Sequence, residues 1–208
     1  MKISYAITVN NEYEELRKVY KTLKQSIRPE DEIVIQIDTT NGQPDHKVHS
    51  YCYELAKLRK ITLVQFELNN HFANFKNNLS KHCTGDYIFQ IDADEIPSVY
   101  MIDALPEILT HNDVDVFKVP RINTVRGITQ QHIDTWKWGV NDKGWINFPD
   151  YQWRLYRNNE KVKWKNRVHE VLDGYQTMAY LPAEEQGCLR HEKTIEKQEQ
   201  QNKLYEGL

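Results

Sequence analysis

The chain has 208 residues, 39% hydrophobic and 27% charged, with 27 Lys and Arg against 30 Asp and Glu for a net charge of −3. That length fits one domain, with or without an appended subdomain, and buries a sizeable core. The balanced charge argues against a nucleic-acid or polyanion binder, and no run approaches the ~18 apolar residues of a membrane helix. Cys52, Cys83 and Cys188 have no metal-type spacing and read as free thiols of a reducing compartment. The N-terminus, MKISYAITVNNEYEEL, lacks the apolar centre of a signal peptide, so a cytoplasmic location is expected.

Ile3-Ser-Tyr-Ala-Ile-Thr-Val9 predicts a strand, followed by an Asn-Asn turn. Over 12–26, Leu16, Val19, Tyr20 and Leu23 recur at helical spacing, with Pro29 just beyond. Asp31–Asp38 (DEIVIQID) is the second strand and ends in the polar loop TTNGQPD. A helix over 47–58 leads to a third strand, Ile61–Phe66, and Phe72, Phe75 and Leu79 mark one face of a further helix closed by Gly85. Asp86–Ile91 has the β-branched and aromatic content of a central strand. A helix over 99–110 and a strand over 115–120 follow.

Residues 122–150 read as irregular, with Trp136, Trp138, Trp145 and Phe148 among polar residues. Long loops are often functional, and these rings suit either an acceptor platform or a small hydrophobic cap. From Tyr151 short antiparallel strands are expected in YQWRLYR and KVKWKNRVHEVL, with a return near 177–181. From Glu192 a charged helix is expected, and its end at KLYEGL reads as the front of a longer protein. Alternating strands and helices imply an α/β fold whose mostly parallel sheet carries helices on both faces, with a small antiparallel late region. Ligands of such sheets bind beyond the carboxyl ends of the strands.

At one such end stands FQIDADEIP, in which a core strand runs into Asp92, Asp94 and Glu95 before Pro97. In extended backbone residues i and i+2 face the same way, so Asp92 and Asp94 repel unless protons, hydrogen bonds or a cation compensate. A hard divalent cation does so economically, whereas the bland reading is an exposed acidic turn or the acidic start of a helix. The usual nucleotide signatures are missing. No G-x-G-x-x-G or H-E-x-x-H occurs, and Gly139 and Gly144 have P-loop spacing with Trp145 in the lysine position.

The segments TVNNE, DEIVIQID and FKNNLSKHCTGDYIFQIDADEIP resemble a family-2 glycosyltransferase of GT-A (Rossmann-like) fold, and YQWRLYRN, RVHE and LRHEKTIEKQEQQN resemble the late region of a bacterial and phage-like branch. The resemblance implies one domain over 1–208, with a nucleotide-sugar-binding half (1–97) and an acceptor-binding half with the C-terminal helix (98–208). It implies metal-dependent transfer of a sugar from a nucleotide diphosphate donor to a glycan, lipid-linked or protein acceptor, with inversion. Mn²⁺ or Mg²⁺ would be held by Asp94, by Asp92 directly or through water, and by a late histidine, His191 ahead of His169. Asp92 would touch the ribose and Asp38 the base, although Asp38 also suits a strand-end Asx turn. Lys76 and Asn77 fall on the family's Arg-Asn helix, where Lys76 keeps the charge but loses the planar fork that grips diphosphate. Arg154 either pairs with a core carboxylate or reaches phosphate.

The stretch Lys161–Glu170 alternates, with Lys161, Lys163, Lys165, Arg167 and His169 on one face and Val162, Trp164, Asn166, Val168 and Glu170 on the other. A carboxylate on the apolar side is either paired or placed as a general base. A regular strand cannot bring His169 and Glu170 into one site, whereas a bulge can. Glu170 is therefore the expected base, with Asp150 its competitor. Two other readings exist. A sugar nucleotidyltransferase would carry a Gly-rich, Arg-containing loop after the first strand, which TVNNEYEEL lacks. A non-catalytic nucleotide-sugar or glycan-binding module would bind donor without consuming it.

Overall fold

The computed structural model describes residues 1–40, 42 and 44–206, with side chains to Lys203; Asn41 and Gln43 of the TTNGQPD loop and the end of KLYEGL lie outside the described residues. The first half runs β1 (Ile3–Val9), α1 (Tyr13–Ser26), β2 (Glu32–Asp38), α2 (His46–Lys57), β3 (Thr62–Phe66), α3 (Phe72–Ser80) and β4 (Tyr87–Asp92), in the expected alternation. The second half runs β5 (Glu95–Ile96), α4 (Val99–His111), β6 (Val116–Arg126), α5 (Gln130–Trp136), β7 (Ile146–Arg157), β8 (Lys163–Lys165), β9 (Val171–Asp173), β10 (Met178–Tyr180), β11 (Leu189–Thr194) and α6 (Ile195–Glu206). Among the described residues the main sheet has the order β3-β2-β1-β4-β7-β6-β11-β5, with β10 also on β6. The first four strands are parallel, and β7 enters antiparallel to both β4 and β6.

The period-2 alternation of the strands decides what each face carries. Ile3, Tyr5, Ile7 and Val9 of β1, Ile33, Ile35 and Ile37 of β2, and Tyr87, Phe89 and Ile91 of β4 pack with Leu16, Val19 and Leu23 of α1 and Met101, Ile102 and Leu105 of α4. The opposite face puts Ala6, Val34 and Ile88 against Ala73 and Leu79 of α3, Trp164 of β8 and Leu172 of β9. By the same alternation, Asp38 and Asp92 at the ends of their strands, and Thr8 one residue before the end of β1, lie on the α3 side. The acidic strand ends therefore emerge beside α3 and the β8–β9 hairpin.

The late region is more regular than expected. The irregular span 122–150 contains the second half of β6, all of α5 and the start of β7. Pro120 does not end β6, because it falls between the neighbouring segments: β10 pairs with β6 up to Lys118, and β11 begins opposite Arg121. A residue without an N–H costs no ladder bond there. The expected regular strand over 161–170 is cut to Lys163–Lys165, because Asn166 (φ 75°) and His169 (φ 52°) take the left-handed conformation. The final helix begins at Ile195, after a strand, so His191 is a strand residue.

Gly174 ends the β8–β9 hairpin at φ 81°, and a Cβ there would stand 2.0 Å from the backbone oxygen of Lys161. Backbone cannot yield as a flexible side chain does. Gly174→Ala is therefore expected to destabilise by about 1–3 kcal/mol or more, read as a lowered urea midpoint with an unchanged slope. An unchanged midpoint would mean that the hairpin does not hold this turn.

Candidate active site

β1 and β4 pair so that Thr8 stands opposite Asp92. The Thr8 hydroxyl donates to Asp92 Oδ1 at 2.8 Å, Lys76 Nζ lies 3.4 Å from the same oxygen, and Arg154 Nη2 donates to Oδ2 at 2.6 Å. Burial alone would raise the Asp92 carboxyl, but Arg154 and then Lys76 overcome it and hold the group below its ordinary value. The strand ends at Asp92, and Ala93 and Asp94 form a turn. The two aspartates thus do not form the mutually repelling pair expected from extended backbone. Each has its own partner, and both line the same cleft.

Asp94 meets His191, with Asp94 Oδ2 and His191 Nε2 3.2 Å apart. The register explains the meeting: β5 folds back antiparallel on β11, which sets His191 opposite Glu95, while β6 sets Asn123 on its other side. Asn123 Nδ2 donates to Asp150 Oδ2 at 2.7 Å, which turns Asn123 Oδ1 toward His191 Nδ1, also at 2.7 Å. Nδ1 of the imidazole is thus engaged by Asn123, and Nε2 faces the Asp94 carboxylate, where a proton on Nε2 or a cation joins the two. Burial pushes the Asp94 carboxyl up, but His191 more than offsets it and the net direction is down.

An oxygen and a nitrogen donor with an oriented imidazole suit Mn²⁺ or Mg²⁺. They would make an open half-site, since among the described residues no three His, Cys, Asp or Glu side chains enclose a metal by themselves. Of the expected trio, Asp94 and His191 meet directly, while Asp92 lines the same cleft and is held by Arg154, Lys76 and Thr8. His169 lines the cleft without replacing His191.

Behind the cleft lies a buried charge network that the sequence reading did not assign. Glu95 is 0% exposed; Arg154 Nε donates to its Oε2 at 2.6 Å, Arg154 Nη2 to its Oε1 at 2.8 Å, and Arg121 Nη1 to Oε1 at 2.6 Å. Burial works to raise the Glu95 carboxyl, yet the two guanidinium groups hold it far below the carboxylate range. Arg154, expected at phosphate or core, takes the core role: it is 4% exposed, and Asp92, Glu95 and the Trp153 carbonyl accept its bonds. Asp150, the competitor for the base, is a clamp. Its Oδ2 accepts from Arg121 Nε and Nη2 and from Asn123, and its Oδ1 accepts from Gln152 at 2.6 Å.

Lys76 is 2% exposed, lies over the Trp164 ring at 4.8 Å and donates to Glu170 Oε1 at 2.6 Å. The left-handed His169 lets both His169 and Glu170 line the cleft of about 380 Å³, together with Asp92, Asp94 and His191. Asn77, expected at the donor, points elsewhere: its amide bonds the backbone N–H and carbonyl of Trp164 and ties α3 to β8. Asp38 makes the Asx turn, accepting from Thr40 N at 2.8 Å, and also from Leu68 N at 3.0 Å. It still borders the half of the cleft walled by Asn10, Glu12, Leu68, Phe72 and Lys76.

Trp145 packs with Phe148, Ile122 and Cys188 as a hydrophobic cap, whereas Trp136 and Trp138 lie ring to ring at 4.7 Å outside it. Arg121 and Asn123 are the site residues that sequence reasoning missed, whereas Glu95 and Glu12 stood in the quoted FQIDADEIP and TVNNE without an assigned role.

A parallel α/β sheet with an acidic turn beyond its central strand, joined to an antiparallel extension, is the GT-A class of fold. The chain matches the family described as Glycosyl transferase family 2 over residues 4–182, and so belongs to that family. Its fold is shared with S. aureus TarS 1-349 in complex with UDP (TM-score 0.65, 11% identity, 92% of this chain and 60% of that one). The same protein in complex with UDP-GlcNAc gives a TM-score of 0.63 at 13% identity, over 93% of this chain and 59% of that one. The chain thus spans about 60% of the TarS 1-349 chain. Comparison with curated proteins gives no match. Among the described residues no helix is long and apolar enough to cross a membrane.

Proposed function

We propose that the chain transfers a sugar from a nucleoside diphosphate sugar to an acceptor hydroxyl, with inversion at the anomeric carbon. The observation that carries the reading is the Asp94–His191 pair, a carboxylate and an imidazole 3.2 Å apart on the wall of the cleft that Glu170 also lines. Residues 1–97 form the donor half and 98–208 the acceptor half. Asp38 with the Leu68 and Phe72 wall takes the base, and Asp92, braced by Arg154 and Thr8, faces the ribose. Lys76 presents a positive charge toward the diphosphate. Mn²⁺ or Mg²⁺ held by Asp94 and His191 would supply charge neutralisation to the leaving diphosphate.

The acceptor oxygen attacks the anomeric carbon and gives its proton to Glu170, while the carbon–oxygen bond to diphosphate breaks with its electron pair on the diphosphate. Glu170 is preferred to Asp150 because Asp150 has both oxygens committed to four donors inside the fold. TarS is bound to UDP-GlcNAc in one of its structures, and a uridine donor is one candidate here. Three buried free cysteines accord with a reducing, cytoplasmic setting.

The experiment is a panel of UDP- and GDP-sugars with and without Mn²⁺, scored by thermal shift and by release of nucleoside diphosphate. At least one donor is expected to raise the melting temperature only with metal. No shift and no release across the panel would remove the reading. His191→Ala is expected to raise the metal concentration needed for half-maximal donor binding by about 10-fold or more, with little loss of melting temperature. Unchanged metal dependence would remove His191 from the half-site.

A further inference from the structure

A second cavity of about 220 Å³ opens beside the cleft and shares Arg121, His191, Lys193 and Gln201 with it. It lies on the β6–α6 side of His191, whereas Asp38 and Phe72 border the cleft on the α3 side. We propose that this cavity is the acceptor subsite and that it takes one uncharged sugar ring, stacked on Trp138. This rests on the transferase reading above and names the substrate class for it.

Three observations carry it. Trp138 is half-buried and lines the cavity, with its ring braced by Trp136 at 4.7 Å, so an aromatic face is held in place at the wall. Asn147 uses its carbonyl on the Gly139 N–H at 2.8 Å, and Gln198 spends one end of its amide on Asn202 at 2.8 Å. That leaves an N–H of Asn147 and the other end of the Gln198 amide toward the cavity, a donor and an acceptor, and a sugar hydroxyl both gives and takes a hydrogen bond.

The charge on the wall is already spent. Arg121 is divided between Glu95 and Asp150, and the Lys193 charge is offset by the nearby Asp94 and Glu95 carboxylates while its ammonium donates to Gln201. An anionic ligand would have to compete with these partners, whereas a neutral ring would not. The volume admits one ring, being smaller than the pockets of drug-sized ligands. A ring seated there needs only to pass His191 to bring a hydroxyl into the cleft that holds Glu170.

The test uses methyl glycosides of hexoses and N-acetylhexosamines as probes, with inorganic phosphate and glycerol 3-phosphate as charged controls. Binding is followed by saturation-transfer NMR and tryptophan fluorescence, alongside UDP and GDP affinity. At least one methyl glycoside is expected to bind the wild type. Trp138→Ala and Gln198→Leu should each weaken it about 10-fold, Trp138→Phe should weaken it less, and nucleoside diphosphate affinity should stay unchanged in all three.

The proposal is overturned if no glycoside binds a wild type that binds UDP or GDP. It is equally overturned if Trp138→Ala and Gln198→Leu bind glycoside as the wild type does, or if only the phosphates bind and depend on Trp138. Glycoside binding that depends on Trp138 in a protein that binds neither UDP nor GDP would uphold the sugar subsite and fail the transferase reading instead.

Discussion

Glu170→Gln is expected to lower sugar transfer by about 10²–10⁴, the usual contribution of a positioned base, without lowering nucleoside diphosphate affinity. Gln keeps the shape and still accepts a hydrogen bond from Lys76, but it cannot take the acceptor's proton. Glu170 Oε1 lies 2.6 Å from Lys76 Nζ, and Lys76 also lies 3.4 Å from Asp92. Removing the Glu170 charge therefore leaves a buried ammonium with one partner fewer. A modest loss of stability is expected, and an anion arriving at Lys76 finds less competition. Transfer and donor affinity must then move apart. Asp150→Asn is the control: it should lower the unfolding midpoint, because Asp150 holds Arg121, Asn123 and Gln152. If Glu170→Gln transfers normally while Asp150→Asn is folded and inactive, the base is Asp150.

Glu95→Gln is expected to destabilise the protein by about 3–5 kcal/mol, the cost of breaking a buried ion pair by removing one partner. Glu95 has 0% exposure and accepts from both Arg121 and Arg154. The remaining acids, Asp92 and Asp150, cannot by themselves replace it. The pH dependence follows from the direction of its shift. A carboxyl held far below its ordinary value of 4.5 contributes stability that is fully present above that value. The contribution is lost as pH falls from there toward the native carboxyl's own value. The urea midpoints of wild type and Glu95→Gln should therefore differ most near pH 7 and converge in strong acid. A constant gap across that range would assign the loss to packing rather than to the ion pair.

The first half of the molecule was legible because each element there repeats a simple period. Ile3, Tyr5, Ile7 and Val9 alternate, Leu16, Val19 and Leu23 recur in helical steps, and the acidic cluster marked the carboxyl end of β4. What was hidden depends on residues far apart in the chain. LRHEKT has no apolar alternation strong enough to announce a strand, so His191 became a strand residue only through pairing with Asn123 and Glu95. His169 has a positive φ with no glycine to signal it, and that single conformation decides that Glu170 and His169 share the cleft. The partners of Glu95 sit on β6 and β7, and Pro120 disguised the length of β6. Pairing across strands also separated the roles of Asp92 and Asp94, which the D-x-D spacing had joined.

The central claim is that nucleoside diphosphate binds through a divalent cation at Asp94. Calorimetric titration of UDP and GDP into wild type and Asp94→Asn, each with and without Mn²⁺, tests it directly. Metal is expected to strengthen binding of one of these nucleotides to the wild type, by about 10-fold or more, and to leave Asp94→Asn unaffected at an unchanged melting temperature. Equal, metal-dependent affinity in the two proteins would contradict it.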